Sequence, residues 1–526
     1  MLESRRFRIA LRLCREHKAI HIGFVILLLS GLVPGPVSAQ TPPSTPVATD
    51  EPFPEYEMDL FFDPSKRSIE GSLSVEWTNT TGGEQSDIYF RLYPNADYYG
   101  NGETLVGEVN VDGQPVETEI QDDPTVLQVT PPAPVAAGDS VTIGLQFLTV
   151  IPVDSAAGFG IFQHDSQADI WNLADWYPIL AGYEQETGWY LQEPTPFGDP
   201  TFSETSRYDV TIEIPDTMLL ISTGETTATQ PGLAGTSKQS IETGPAREFA
   251  MTLLPADVEQ VATAAADVTI QVTLPRDRSV PGLAEFMAET AAGALKQYEL
   301  WMGDYPSPEL DISVADLSGA NAVSWSGTTW FGLESIVADG ELSEEEKVGL
   351  AFVILHEVGH QWIADIVGSN NNDHGFMTEG LVNALAVLAA NDIYGADRAD
   401  VYLRSWVAGP YSSLLNDGRD GIADAPISNE TIGVLRTLLV YGKAAVGFIA
   451  IWNDLGETAF LDALEAYSRE FRFAISEPDD LMGAFEDAAD AELDELWSFW
   501  FSEADATRED LDAVLEACTA ELQAAS

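Results

Sequence analysis

Two histidines four positions apart flank a glutamate in His356-Glu357-Val358-Gly359-His360. On a helix that spacing projects both imidazoles from one face, where they can share one metal ion. Glu357 lies between them and can act on a water at that ion as a general base. Glu379 follows His360 by 19 positions and opens the helix-patterned run 379–393 (EGLVNALAVLAANDI). Two imidazoles and one carboxylate leave zinc an open position, as a catalytic rather than a structural site requires. The chain has only six histidines, and two of them fall in this motif. Histidines satisfied by core hydrogen bonds are the competing reading, and the helical context with the spaced carboxylate weighs against it. The expected cofactor is one Zn2+ per chain, held by His356, His360 and Glu379.

These residues need a rigid helix beneath them. A helical pattern begins near Ser343, where Ser343 and Glu346 match a capping box and three glutamates in the first turn suit the helix dipole. Upstream, residues 57–263 read as β: short alternating runs such as 71–78 (GSLSVEWT) and 208–214 (YDVTIEI), broken by Gly, Asp and Pro. From about residue 264 the pattern changes to a strand at 267–274, a helix over 283–301 and a strand near 310–315. After residue 342 nearly everything is helical.

The chain is 526 residues long, with 24 Lys and Arg against 85 Asp and Glu, a net charge of −61. Such a surface repels phosphate backbones, so nucleic acid is excluded as a partner class, and anionic membranes are disfavoured on the same grounds. Arg5, Arg6, Arg8, Arg12, Arg15 and Lys18 precede the apolar run 22–33 (IGFVILLLSGLV), and Val37-Ser38-Ala39 follows it. That layout predicts a secretory signal over residues 1–39, cut after Ala39, with export to the medium or the cell envelope. Retention of the segment as an anchor is the alternative, and no stable membrane insertion is expected once it is cleaved. Residues 40–56 read as a Pro- and Thr-rich linker. Cys14 leaves with the signal, so Cys518 has no intramolecular partner and reads as an unreactive helix thiol.

The run His356-Glu357-Val358-Gly359-His360-Gln361-Trp362, followed by Glu379-Gly380, resembles the gluzincin metallopeptidases typified by membrane alanyl aminopeptidase. Residues 91–96 (RLYPNA), 175–178 (DWYP), 198–210 (GDPTFSETSRYDV), 298–312 (YELWMGDYPSPELDI) and 470–501 also resemble parts of that family. The resemblance implies an α+β multidomain fold: an N-terminal β-sandwich or saddle domain at 57–263, a thermolysin-like α/β catalytic domain at 264–455 and a short C-terminal helical segment at 456–526. It implies zinc on His356, His360 and Glu379, with Glu357 as general base. Tyr441, in Leu439-Val440-Tyr441-Gly442-Lys443, matches the family tyrosine that stabilises the tetrahedral oxyanion. Asn383, one turn past Glu379, is a candidate to orient a ligand from behind.

One departure matters. The family's exopeptidase motif, Gly-Ala-Met-Glu-Asn, carries a glutamate that grips the substrate's free amine. The matching stretch here, 319–327 (GANAVSWSG), puts Ser324 at that position when counted from Gly327, and Val323 when anchored on Trp325. Neither side chain can make a charge-assisted contact with an ammonium. Ser324, Gly327 and Asp169 are the candidate substrate contacts, Asp169 because the family's β domain reaches the cleft in that region. His374 reads as a loop residue rather than a ligand. The expected function is an exported zinc metallopeptidase acting on peptides, aminopeptidase-type by resemblance. The alternatives are an endopeptidase or a peptidase of altered specificity, and a non-catalytic binding protein on the same fold.

Overall fold

The computed structural model describes residues 52–185, 187–197, 201–336, 340–427 and 435–525. The signal reading for 1–39 and most of the 40–56 linker lie outside the described residues.

The strand Glu55–Asp63 alternates with period 2, turning Tyr56, Met58, Leu60 and Phe62 inward and Glu55, Glu57 and Asp59 to solvent. It pairs antiparallel with Ser68–Thr78 and parallel with Arg207–Pro215 near the middle of an eight-stranded sheet. The strand takes in the last two residues of the expected linker. Tyr56 is buried, and its hydroxyl accepts a hydrogen bond from the Leu180 amide at 2.9 Å, which holds that end in register. Two four-stranded sheets and one two-stranded sheet accompany the eight-stranded sheet among the described residues, and Trp77, Phe90, Leu127, Trp171 and Leu253 from the eight- and four-stranded sheets meet in one core.

The sheet of the second domain has five strands, in the order Val258–Ala265, Val268–Pro275, Glu309–Ala315, Thr328–Gly332 and Ala322–Trp325. Val258–Ala265 forms a hairpin with Val268–Pro275, turning at Ala266 with φ 52°. The boundary therefore falls before residue 258 rather than at 264, because a hairpin strand belongs to the sheet it pairs with. Helix Leu283–Met302 links two parallel strands of this sheet, burying Leu283, Met287, Ala291, Leu295 and Tyr298. The edge strand Ala322–Trp325 runs antiparallel to Thr328–Gly332 across a tight Ser326-Gly327 turn, where Gly327 adopts φ 78°. That left-handed conformation suits glycine.

The helices pack on this sheet. Residues 456–525 add Phe460, Leu464, Phe485, Trp497, Phe501, Leu511 and Leu515 to the same core as Phe376 and Phe448, so this segment is continuous with the core of the second domain. Helix Leu435–Leu455 has the length and apolar composition of a membrane span, but 78% of its apolar window is buried inside the protein. It is the central helix of that core. Cys518 is buried, and burial pushes its thiol up to about 12, which keeps it protonated and inert. Arg247 ties the β domain to loops of the helical part: its guanidinium donates to the carbonyls of Ser203 (2.8 Å), Asp365 (3.2 Å) and Ala474 (3.1 Å).

Candidate metal centre

Helix Glu344–His360 starts as its sequence dictates. Ser343 Oγ accepts from the Glu346 amide at 3.2 Å, and Glu346 Oε2 accepts from the Ser343 amide at 2.7 Å. Its far end is fixed by Tyr298, whose hydroxyl donates to the Leu355 carbonyl at 2.8 Å, and by Trp362, whose indole donates to the Gly303 carbonyl at 2.9 Å. His356 and His360 thus leave one face of a clamped helix.

Glu379 and Tyr441 each sit in a widened π-helical turn, Phe376–Gly380 and Leu439–Lys443. Such turns re-aim side chains within an otherwise regular helix. Lys443 anchors the second turn: its buried ammonium donates to Asp420 Oδ2 (2.8 Å) and to the carbonyls of Gly421 (2.8 Å) and Glu503 (2.6 Å). Nε2 of His356 and Nε2 of His360 are 3.1 Å apart, and Glu379 Oε2 lies 3.2 and 3.3 Å from them. His360 Nδ1 is held by the Ile363 carbonyl at 3.0 Å, which turns Nε2 toward the shared point. Tyr441 lies with its ring 6.0 Å from that of His356.

The residues fit a zinc ion. Three donor atoms of the types zinc takes converge, and Glu379 Oε2 is buried without a hydrogen bond of good geometry. Burial opposes a charge on His360, yet the Glu379 and Glu357 carboxylates outweigh it and raise its pKa to about 9. Burial likewise opposes ionisation of Glu379, and the two imidazoles with Arg436 overcome it, holding the carboxyl well below its usual range. Positive charge is therefore favoured at the point where these atoms meet. Burial pushes Glu357 up, and its Oε2 has no hydrogen-bond partner.

Other expected residues take different positions. Asn383 donates to the Tyr441 carbonyl at 2.8 Å, so it steadies the tyrosine turn rather than a metal ligand. Strand alternation separates the two candidates for the missing glutamate: Val323 packs toward Trp325 and Trp330, while Ser324 faces the metal helix. Ser324 Oγ is committed to the Glu357 carbonyl and to Thr329 Oγ1, each at 2.9 Å. The Gly327 amide donates to Gln361 Oε1 at 3.0 Å, so that donor serves the fold instead of a substrate. Asp169 occupies a hairpin turn with φ 54°, its carboxylate paired with His164 at 2.9 Å, and does not join the triad. His374 lies in the short helix Asn371–His374 and binds Asp424 at 2.7 Å, apart from the metal ligands.

Two residues to which the sequence assigned no role also hold the site. Gln361, beside His360, receives Tyr305 (2.8 Å) and Gly327, and donates to the Trp325 carbonyl (3.0 Å), locking the edge strand to the metal helix. Arg436 places Nη2 3.1 Å from Glu379 Oε1. The only sequence signal was a lone cation in the otherwise uncharged run 435–441.

The ligand turn and the tyrosine turn touch at Gly380, whose φ of −66° is ordinary. Its value is space: a Cβ there would lie 2.5 Å from the Ala444 Cβ and 3.2 Å from the Val440 carbonyl. Gly380→Ala is expected to force the two turns apart and cost about 1–3 kcal/mol, read as a lower denaturant midpoint. An unchanged midpoint would contradict the close approach.

Residues 286–500 match the sequence description of the Peptidase family M1 domain. Aminopeptidase N of Lactobacillus helveticus is 25% identical over 233 residues, 42% of this chain and 27% of that protein. Puromycin-sensitive aminopeptidase of Caenorhabditis elegans is 22% identical over 321 residues, 58% of this chain and 32% of that protein. The matched stretch thus spans about a quarter to a third of these curated relatives. An M1 zinc metallopeptidase crystal structure from Deinococcus radiodurans superposes with a TM-score of 0.62 at 17% identity, covering 85% of this chain and 92% of that one. Residues 286–500 are thus similar to the peptidase family M1 domain, and the chain shares the fold of an M1 zinc metallopeptidase.

Proposed function

We propose that this protein is a zinc-dependent metallopeptidase that hydrolyses peptide bonds, of aminopeptidase type. The convergence of His356 Nε2, His360 Nε2 and Glu379 Oε2 beside an unpartnered Glu357 carboxylate oxygen carries the reading. Zinc held there supplies a Lewis acid that polarises a carbonyl and acidifies water. Glu357 Oε2 takes a proton from the attacking water and returns it to the departing amine, and burial raises its basicity for that task. Tyr441 donates its phenol proton in a hydrogen bond to the oxygen that gains charge as the carbonyl becomes tetrahedral.

The aminopeptidase assignment is supported by the names of the relatives. The engagement of Ser324 with the Glu357 carbonyl supports a second reading, altered specificity or endopeptidase action, because no carboxylate stands at that point to receive an ammonium. One peptide, offered free and N-acetylated, separates the two by mass spectrometry. Loss of single residues from the free peptide alone is the expected result. Equal internal cleavage of both would overturn the aminopeptidase assignment in favour of the second.

Export belongs to the same proposal and is supported by the basic and apolar character of residues 1–39. N-terminal sequencing of the mature protein is expected to begin at Gln40, and a start at Met1 would contradict cleavage.

A further inference from the structure

We propose that Arg436 is a positioning residue for the metal centre: it holds Oε1 of Glu379 so that Oε2 alone faces the two imidazoles, and it sets the Tyr441 ring against the same carboxylate. This rests on the zinc reading of His356, His360 and Glu379.

The geometry is a division of one carboxylate between two partners. Oε1 accepts from Arg436 Nη2 at 3.1 Å, and Oε2 points at His356 and His360. A carboxylate bound at one oxygen only can rotate and present either oxygen, or both. A guanidinium held against the outer oxygen removes that freedom. The fork is itself held, because its carbon lies 5.1 Å over the Tyr441 ring, within cation–π range. Arg436 and Tyr441 sit on the helical run Leu435–Leu455, whereas Glu379 comes from the turn that opens helix Leu381–Tyr394. One cation therefore ties the ligand on one helix to the oxyanion donor on another, alongside the Asn383 contact to the Tyr441 carbonyl. Its side chain is 9% exposed, so water does not compete strongly for the pair.

A role limited to neutralising a buried carboxylate would change fold stability and leave the metal's surroundings alone. The experiment separates these. Zinc dissociation constants are measured by competition with a chromophoric chelator for the native chain, Arg436→Lys, Arg436→Gln and His360→Ala. Visible spectra of the cobalt(II)-loaded proteins and melting of the metal-stripped forms are recorded alongside. Arg436→Gln is expected to weaken zinc binding by roughly 10–100-fold and to shift the cobalt bands. Lysine keeps the charge without the planar fork, so Arg436→Lys should fall between. Should the glutamine variant not fold, the lysine variant decides alone, and a several-fold loss supports the inference. If the native chain binds zinc and His360→Ala does not, while the folded Arg436 variants match native affinity and cobalt spectrum, this inference is overturned. Equal zinc binding by the native chain and His360→Ala would instead overturn the zinc site itself.

Discussion

Glu357→Gln should bind zinc as the native chain does and lose peptide hydrolysis by roughly 10²–10⁴-fold in kcat/KM. Glutamine has the same shape, so packing around a buried side chain is kept. The Ser324 hydroxyl reaches the main-chain carbonyl of residue 357, a contact the substitution leaves in place. None of the three converging donor atoms belongs to residue 357. What disappears is a group that can accept a proton. In the native chain burial raises the Glu357 pKa, which makes its ionised form a stronger base than an exposed glutamate, while the nearby imidazoles keep that form accessible. Zinc content by elemental analysis and steady-state kinetics on the same preparation check both halves. Native activity in a zinc-replete Glu357→Gln protein would remove Glu357 from the role of base.

Tyr441→Phe is the second large effect, expected at roughly 10²–10³-fold in kcat with KM little changed. Phenylalanine keeps the ring beside His356 and beneath Arg436, so the turn and the metal ligands stay as they are. Burial, with the neighbouring Glu379 and Glu357 carboxylates, holds the Tyr441 pKa well above its usual value in spite of Arg436. The phenol therefore remains a donor through neutral and mildly alkaline pH. Loss confined to kcat fits a hydrogen bond that strengthens as the carbonyl becomes tetrahedral. A rise in KM with kcat preserved would assign Tyr441 to ground-state binding instead.

The sequence made the metal ligands visible because their chemistry is local: His356 and His360 share one helix face, and Glu379 follows at a readable distance. The Ser343 capping box and the alternation in 208–214 were legible for the same reason, since each depends on near neighbours. The expected boundary between 263 and 264 cuts through the 258–265 strand, because that strand's own alternation is the same whichever partner it takes. Gly327 was read as a substrate contact and Asn383 as a residue orienting a ligand, but their hydrogen-bond partners, Gln361 and the Tyr441 carbonyl, lie 34 and 58 positions away. Spacing cannot give such pairings. Arg436 meets Glu379 across 57 positions by the packing of two helices, and no periodicity marks that contact. The choice between Ser324 and Val323 could be made only when strand pairing fixed which side chain faces the metal helix.

The most direct test of a zinc-dependent peptidase at this triad is product analysis of one unblocked peptide, incubated with the metal-stripped protein before and after one equivalent of zinc is restored. Mass spectrometry should find the peptide intact with the stripped protein and cleaved once zinc returns. Cleavage undiminished by complete metal removal would contradict the account.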